Sequence, residues 1–147
     1  MTTLKDPPKN VLVPIDFSEC SEKAATAACA LAAKTGATVH LLHAYQIPVE
    51  SVGLALTVSQ QYVEQFVKES KVQLEELAAR LCPGAKLGPM LVESGDPREV
   101  ILDETQKLNA ELIVMGTHGR RGLKRALIGS VAESVVRTAH CSVLIVR

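Results

Sequence analysis

Residues 10–43, NVLVPIDFSECSEKAATAACALAAKTGATVHLLH, decide the fold. The run NVLVPID (10–16) is short, apolar, rich in β-branched residues and closed by an acid. That is the pattern of a strand buried on both faces, and it delivers Asp16 at its C-terminal end. Ser18 or Ser21 can cap the helix that follows, its alanine-dominated body has high helix propensity, and Gly36 marks its stop. ATVHLLH (37–43) is a second strand. Two buried strands joined by a helix imply a parallel pair with a right-handed crossover, because only that hand packs the helix back onto the sheet.

The remainder of the chain continues the alternation. Tyr45 to about Thr57 is a longer connection carrying Pro48 and Gly53. From about Ser59 to Leu81, Val63, Phe66, Val67, Leu74, Leu77 and Leu81 recur on one face at the 3.6-residue period, and Pro83-Gly84 ends this second helix. A third strand lies near Pro89–Glu93, after which Asp96 caps a helix with Pro97 at its first position, running to about Leu108. Ala110–Met115 is the fourth strand, Ser130 to about Thr138 a helix, and Ser142–Val146 the fifth strand. The expected architecture is a single α/β domain over residues 1–147. It is a doubly wound, open parallel sheet of five strands, Rossmann-like in order 3-2-1-4-5, with helices on both faces.

Composition narrows the partners. Sixteen Lys and Arg balance sixteen Asp and Glu in 147 residues, which argues against a nucleic acid or an anionic membrane held by the overall field. With two Tyr, two Phe and no Trp, a base-stacking single-strand binder is disfavoured as well. No apolar run approaches the ~18 residues of a membrane span. Cys20, Cys29, Cys82 and Cys141 are too far apart for a CxxC or zinc-knuckle pattern, and the opening MTTLKDPPK is polar. The expectation is a cytoplasmic, reduced chain in which each cysteine is a small buried hydrophobe.

In a doubly wound sheet the ligand binds beyond the carboxyl ends of the strands, where strand order reverses. Asp16 stands there, and so does MGTHGRRGLKRALIGSVAESV (115–135). Gly116 and Gly119 allow close backbone approach, and Gly129-Ser130 opens a helix whose first N–H groups and partial positive charge suit phosphate oxygens. Arg120, Arg121, Lys124 and Arg125 could neutralise a polyphosphate. The plainer alternative is that the glycines only turn the chain and the cations are solvated. The spacing is neither a Walker A loop nor the GxGxxG dinucleotide fingerprint. His40 and His43, three apart on a strand, point to opposite faces and cannot share one ion. His118 either touches a phosphate or is an exposed loop residue, and His140 is a connector.

The pattern Gly116-x2-Gly119-x9-Gly129-Ser130, together with VLVPIDFSE at residues 11–19, resembles the ATP-binding branch of the universal stress protein family across essentially the whole chain. The resemblance implies that Pro14, Ile15 and Asp16 lie by the base and ribose, with the backbone of Ala44 meeting the adenine. It further implies that Met115 and Gly116 flank the ribose, and that Gly119, Gly129, Ser130 and Val131 hold the phosphates, with Arg120 beside them. Ala132 departs from the pattern, standing where a hydroxyl residue can assist the phosphates. ATP is the implied cofactor, with Mg2+ held at most through the phosphates and Asp16. A homodimer through the terminal strand Val143–Val146 is also implied, and an apolar strand at a sheet edge gives an independent reason to be covered. The expected role is a nucleotide-responsive regulatory or protective factor in stress response. Two alternatives are a slow ATPase or nucleotidyl transferase on the same scaffold, and a dimerising interaction module with a vestigial pocket. No catalytic constellation is readable in the sequence, so hydrolysis, if any, should be slow.

Overall fold

The computed structural model describes residues 6–46, 56–118 and 128–147. In chain order the elements are β1 (Asn10–Pro14), α1 (Glu19–Thr35), β2 (Thr38–Tyr45), α2 (Leu56–Leu81), β3 (Lys86–Leu87), β4 (Leu91–Ser94), α3 (Pro97–Lys107), β5 (Leu112–Gly116), α4 (Ser130–Thr138) and β6 (Ser142–Val146). The strands pair in parallel in the order β3-β2-β1-β5-β6, with β4 also pairing β2.

The five expected strands are therefore six, because the third is divided. β3 pairs Thr38 and Val39, whereas β4 pairs Leu42 to Tyr45 of the same strand. Gly88 and Pro89 separate the halves. A Cβ on Gly88 would stand 2.3 Å from His40 Nδ1, so the backbone passes the imidazole only because that position has no side chain. Pro89 then has no N–H to donate to a ladder. With the two halves counted as one edge, the order is the expected 3-2-1-4-5.

Alternation along the strands builds a core on each face. Val11, Val13, Val39, Leu41 and Val114 turn toward α1 and α2, which contribute Ala24, Ala28, Leu74 and Leu77. Leu12, Leu42, Ile113 and Met115 turn to the other face and meet Ile101 of α3 and Val135 of α4. Removing a Val, Leu or Ile side chain of this kind from water is worth about 1.5–3 kcal/mol. The alanines of α1 let its backbone approach the sheet closely. Ser18 caps α1 by accepting from the Ser21 N–H, and Gly36 closes it in the left-handed conformation at φ 77°.

The cysteines correct an expectation. Cys29 of α1 and Cys82, just after α2, form a disulfide, with Cα atoms 5.1 Å apart. Cys20 and Cys141 are free thiols. The expected reduced, merely apolar role therefore fails for two of the four. Packing of α1 on α2 brings together two residues 53 apart in the sequence, at a separation a disulfide can bridge. Among the described residues no helix is long and apolar enough to cross a membrane.

His40 and His43 do face opposite sides of the sheet. His40 is buried, with Nε2 3.2 Å from Asn10 Oδ1 and Nδ1 without a partner among the described residues. Burial holds its pKa below the ordinary imidazole value. The unfolded chain thus takes up a proton at higher pH than the folded one. Stability is full above about pH 6.5, the unfolded value, and declines as pH falls below it toward the folded value. Urea unfolding at pH 7.5 and 5.5 should show a lower midpoint at pH 5.5, and His40→Gln should reduce that difference. An equal difference in the variant would remove His40 as the cause.

Candidate functional site

The carboxyl ends of β1, β2 and β5 and the starts of α3 and α4 enclose a cleft of about 820 Å³, within the usual range for a small-molecule site. The turn after β1 forms one of its walls. Ile15 N–H donates to Leu42 O at 2.7 Å, carrying the β1–β2 ladder past the end of β1. Phe17 then turns the chain with φ 61°, a left-handed conformation that costs a non-glycine residue about 1–3 kcal/mol. Asp16 Oδ1 accepts from the Ser18 N–H at 3.0 Å and from its hydroxyl at 2.5 Å. The same hydroxyl oxygen accepts from Ser21 N–H at 3.2 Å. One serine thus caps α1 and fixes the carboxylate of Asp16 at the helix N-terminus, where the helix dipole favours the anion.

His43 secures the other side of this turn. Its Nδ1 lies 2.7 Å from Ile15 O, an atom that can only accept, so Nδ1 carries the proton. Its ring packs at 4.8 Å from Phe17 and 6.2 Å from Phe66, and Phe66 in turn meets Tyr45 at 5.1 Å. Three of the four aromatic residues of the chain therefore brace the ends of β1 and β2. Pro14, Ile15, Asp16 and Ala44 all line the cleft.

The wall opposite comes from β5 and α4. Met115 and Gly116 line it, and a Cβ on Gly116 would stand 2.7–2.8 Å from Cys20 of α1, so β5 can lie this close to the start of α1 only with glycine there. Thr117 N–H donates to Val146 O at 3.1 Å, and Thr117 O accepts from Gly129 N–H at 2.6 Å. Gly129, Ser130 and Val131 line the cleft where α4 begins. The starts of α1 and α3 are capped by the side chains of Ser18 and Asp96, but Gly129 caps α4 with no side-chain hydrogen bond. The first turn of α4 thus opens into the cleft without an oxygen of its own covering its donors. Ala132 also lines the cleft and is buried.

Gly119 and Arg120, and the rest of the cationic stretch to Arg125, lie outside the described residues. The sequence reading missed the third wall, formed by Asp96, Pro97, Arg98 and Ile101 at the start of α3, with Gln46 nearby. Asp96 is the expected helix cap, accepting from Arg98 N–H at 2.9 Å. Arg98 Nε donates to the same carboxylate at 2.9 Å and Nη2 donates to its second oxygen. The hydrogen bond from the guanidinium holds the Asp96 carboxyl at about 2, far below its ordinary range. The signal that could have found this wall is topological: β4 pairs β2, so α3 starts at the same sheet end as Ala44. Among the described residues no group of three His, Cys, Asp or Glu is arranged for a metal ion.

Comparisons with known proteins agree with this architecture. The model of the universal stress protein family matches residues 8–147. Universal stress protein MJ0531 of Methanocaldococcus jannaschii is 34% identical over 141 residues, a match that spans 95% of this chain and 82% of that protein. The solved structure of hypothetical protein MJ0577 superposes with a TM-score of 0.81 at 29% identity, covering 94% of each chain. A universal stress protein crystallised in complex with cAMP shares the fold at a TM-score of 0.67 and 22% identity, covering 97% of this chain and 98% of that one.

Proposed function

This chain belongs to the universal stress protein family, and from that premise we propose that its cleft binds ATP and that the protein acts as a nucleotide-responsive regulatory or protective factor in stress response. The observation that carries this reading is the start of α4, which lacks a side-chain cap and opens into a cleft that Asp16 lines from the end of β1. A helix start of this kind offers backbone donors and partial positive charge to phosphate oxygens. Phosphates lie on Gly129, Ser130 and Val131, with Gly119 and Arg120 completing the subsite. The ribose lies between Met115, Gly116 and Asp16, and the base reaches the backbone of Ala44. The solved relative in complex with cAMP supports the assignment by placing an adenine nucleotide on this fold in that protein.

Mg2+ would be held by the phosphates and Asp16, as suits a hard cation that keeps most of its waters and takes one or two carboxylates. Denaturing the freshly purified protein and chromatographing the released nucleotides tests the reading, alongside calorimetric titration with ATP and Mg2+. Co-purified or titratable ATP is expected; neither appearing refutes it.

The protein further pairs with a second copy through β6. β6 is an edge strand of four successive apolar residues, and Leu144 on it is 43% exposed. Sedimentation should read a dimer for the native chain and a monomer for Leu144→Asp. A native monomer at micromolar concentration contradicts this pairing.

A further inference from the structure

The first turn of α3 is a wall of the cleft to which the nucleotide assignment gives no role. Ala44 pairs Glu93 in the β2–β4 ladder and Gly95 N–H donates to Tyr45 O at 2.8 Å, so α3 begins one strand away from Ala44. Val100, Ile101, Glu104 and Thr105 form its buried face. Arg98 stands three and seven positions before Ile101 and Thr105, and therefore lies on that same face. At this end of α3 the sheet has stopped, since β4 ends at Ser94 and β2 at Tyr45. The Arg98 side chain thus overhangs the cleft, which it lines beside Ile101, and is 53% exposed.

Asp96 orients the guanidinium. Nε and Nη2 of Arg98 both donate to its carboxylate, Nε at 2.9 Å, so one edge of the planar fork is held by an anion. The Asp96 carboxyl, held at about 2, stays ionised through the physiological range. What Arg98 still offers is its two flat faces and the Nη1 edge, on a group whose charge its neighbour balances. Such a group suits a flat uncharged ring better than a phosphate. Among the described residues that line the cleft there is no Phe, Tyr or Trp. Phe17, Tyr45 and Phe66 gather around His43 on the other face of the sheet. An adenine whose edge meets the Ala44 backbone lies near the plane of the sheet, since the N–H and C=O groups of a strand point along the sheet and its side chains across it. The two faces of the ring then look to the helical layers, and Arg98 stands in the layer of α3. Resting on the reading that this cleft holds an adenine nucleotide, we infer that the Arg98 guanidinium, its plane set by Asp96, stacks on the base. Arg98 is then a base-binding residue that selects an aromatic ring whatever the number of phosphates, and Asp96 is its positioning residue as well as the cap of α3.

Calorimetric titration of the full chain with ATP, adenosine and inorganic tripolyphosphate separates base from phosphate. Arg98→Ala should weaken ATP and adenosine by the same factor, roughly 5- to 30-fold, the worth of a guanidinium on a desolvated aromatic face. It should leave tripolyphosphate affinity within about twofold. Asp96→Asn keeps the helix cap but loosens the fork, and should show a smaller loss with the same split; binding equal to that of the native chain would remove Asp96 as the positioning residue. In the native chain labelled with 15N-arginine, ATP and adenosine should move the Arg98 Nε–H proton upfield by the ring current of the base, and tripolyphosphate should not. A loss of tripolyphosphate binding as large as that of ATP, unchanged ATP affinity in Arg98→Ala, or no ring-current shift with ATP would overturn the inference. If Arg98→Ala fails to fold, the spectra of the native chain decide by themselves. A native chain that binds neither ATP nor adenosine removes the nucleotide reading and this inference together. One that binds ATP with Arg98 silent removes only the inference.

Discussion

Gly129→Leu should lower ATP affinity by roughly 100-fold or more while the protein remains folded. Gly129 has φ −62° and ψ 155°, values open to any residue, so the backbone does not demand glycine. What demands it is space. The first atom of a new side chain would already stand 3.0 Å from Thr117 O, and the rest of a leucine would project over the first turn of α4. Phosphate oxygens would lose the amides there, and two charge-assisted contacts at about 1.5–3 kcal/mol each account for the factor. Gly129→Ala should fall between, since a single methyl must displace Thr117 O by only a few tenths of an ångström. Calorimetric titration of the three proteins measures the series, with thermal melts as the control for folding. Equal affinity in native and leucine proteins would show that the α4 start does not hold the nucleotide.

Opening the Cys29–Cys82 disulfide should destabilise the protein by about 2–4 kcal/mol. The bond closes a loop spanning 53 residues of sequence, for which chain entropy alone gives about 4 kcal/mol. It also joins α1 to the end of α2, the helix that contributes Leu74 and Leu77 to one face of the core. The bidentate Arg80–Glu22 pair on the same seam is solvent-exposed and cannot replace it. Urea unfolding with and without dithiothreitol measures the effect, and Cys29→Ala with Cys82→Ala should resemble the reduced protein. Thiol titration of the unfolded, unreduced chain should find two free cysteines. Finding all four would contradict the bond.

The order of elements and the ends of several of them were readable from sequence, because apolar runs, caps and breakers act locally. α4 and β6 fall at the expected residues, Ser18 is the cap of α1, and Pro97 opens α3. α2 begins at Leu56 rather than near Ser59, and β2 continues to Tyr45, since pairing with β4 extends it. The divided edge was not readable. It depends on His40 meeting Gly88, a contact across strands that no local pattern carries. The disulfide was hidden for the same reason, as it joins helices that meet only once the sheet is wound. At the site, β1 and β5 announce themselves by an acid and by glycines at strand ends, but the wall of Asp96 and Arg98 follows only from strand order.

The division of the third strand has a consequence for assembly. A sheet ordinarily has two free rims, and a molecule with two adhesive rims can add copies without limit. Here one rim is cut into pieces of two and four residues, with a glycine and a proline between them, a poor template for another strand. The opposite rim, β6, is continuous. A sheet with one continuous rim has a valency of one: the proposed pairing through β6 would leave no adhesive surface behind, and growth would stop at the pair rather than run on into a fibre.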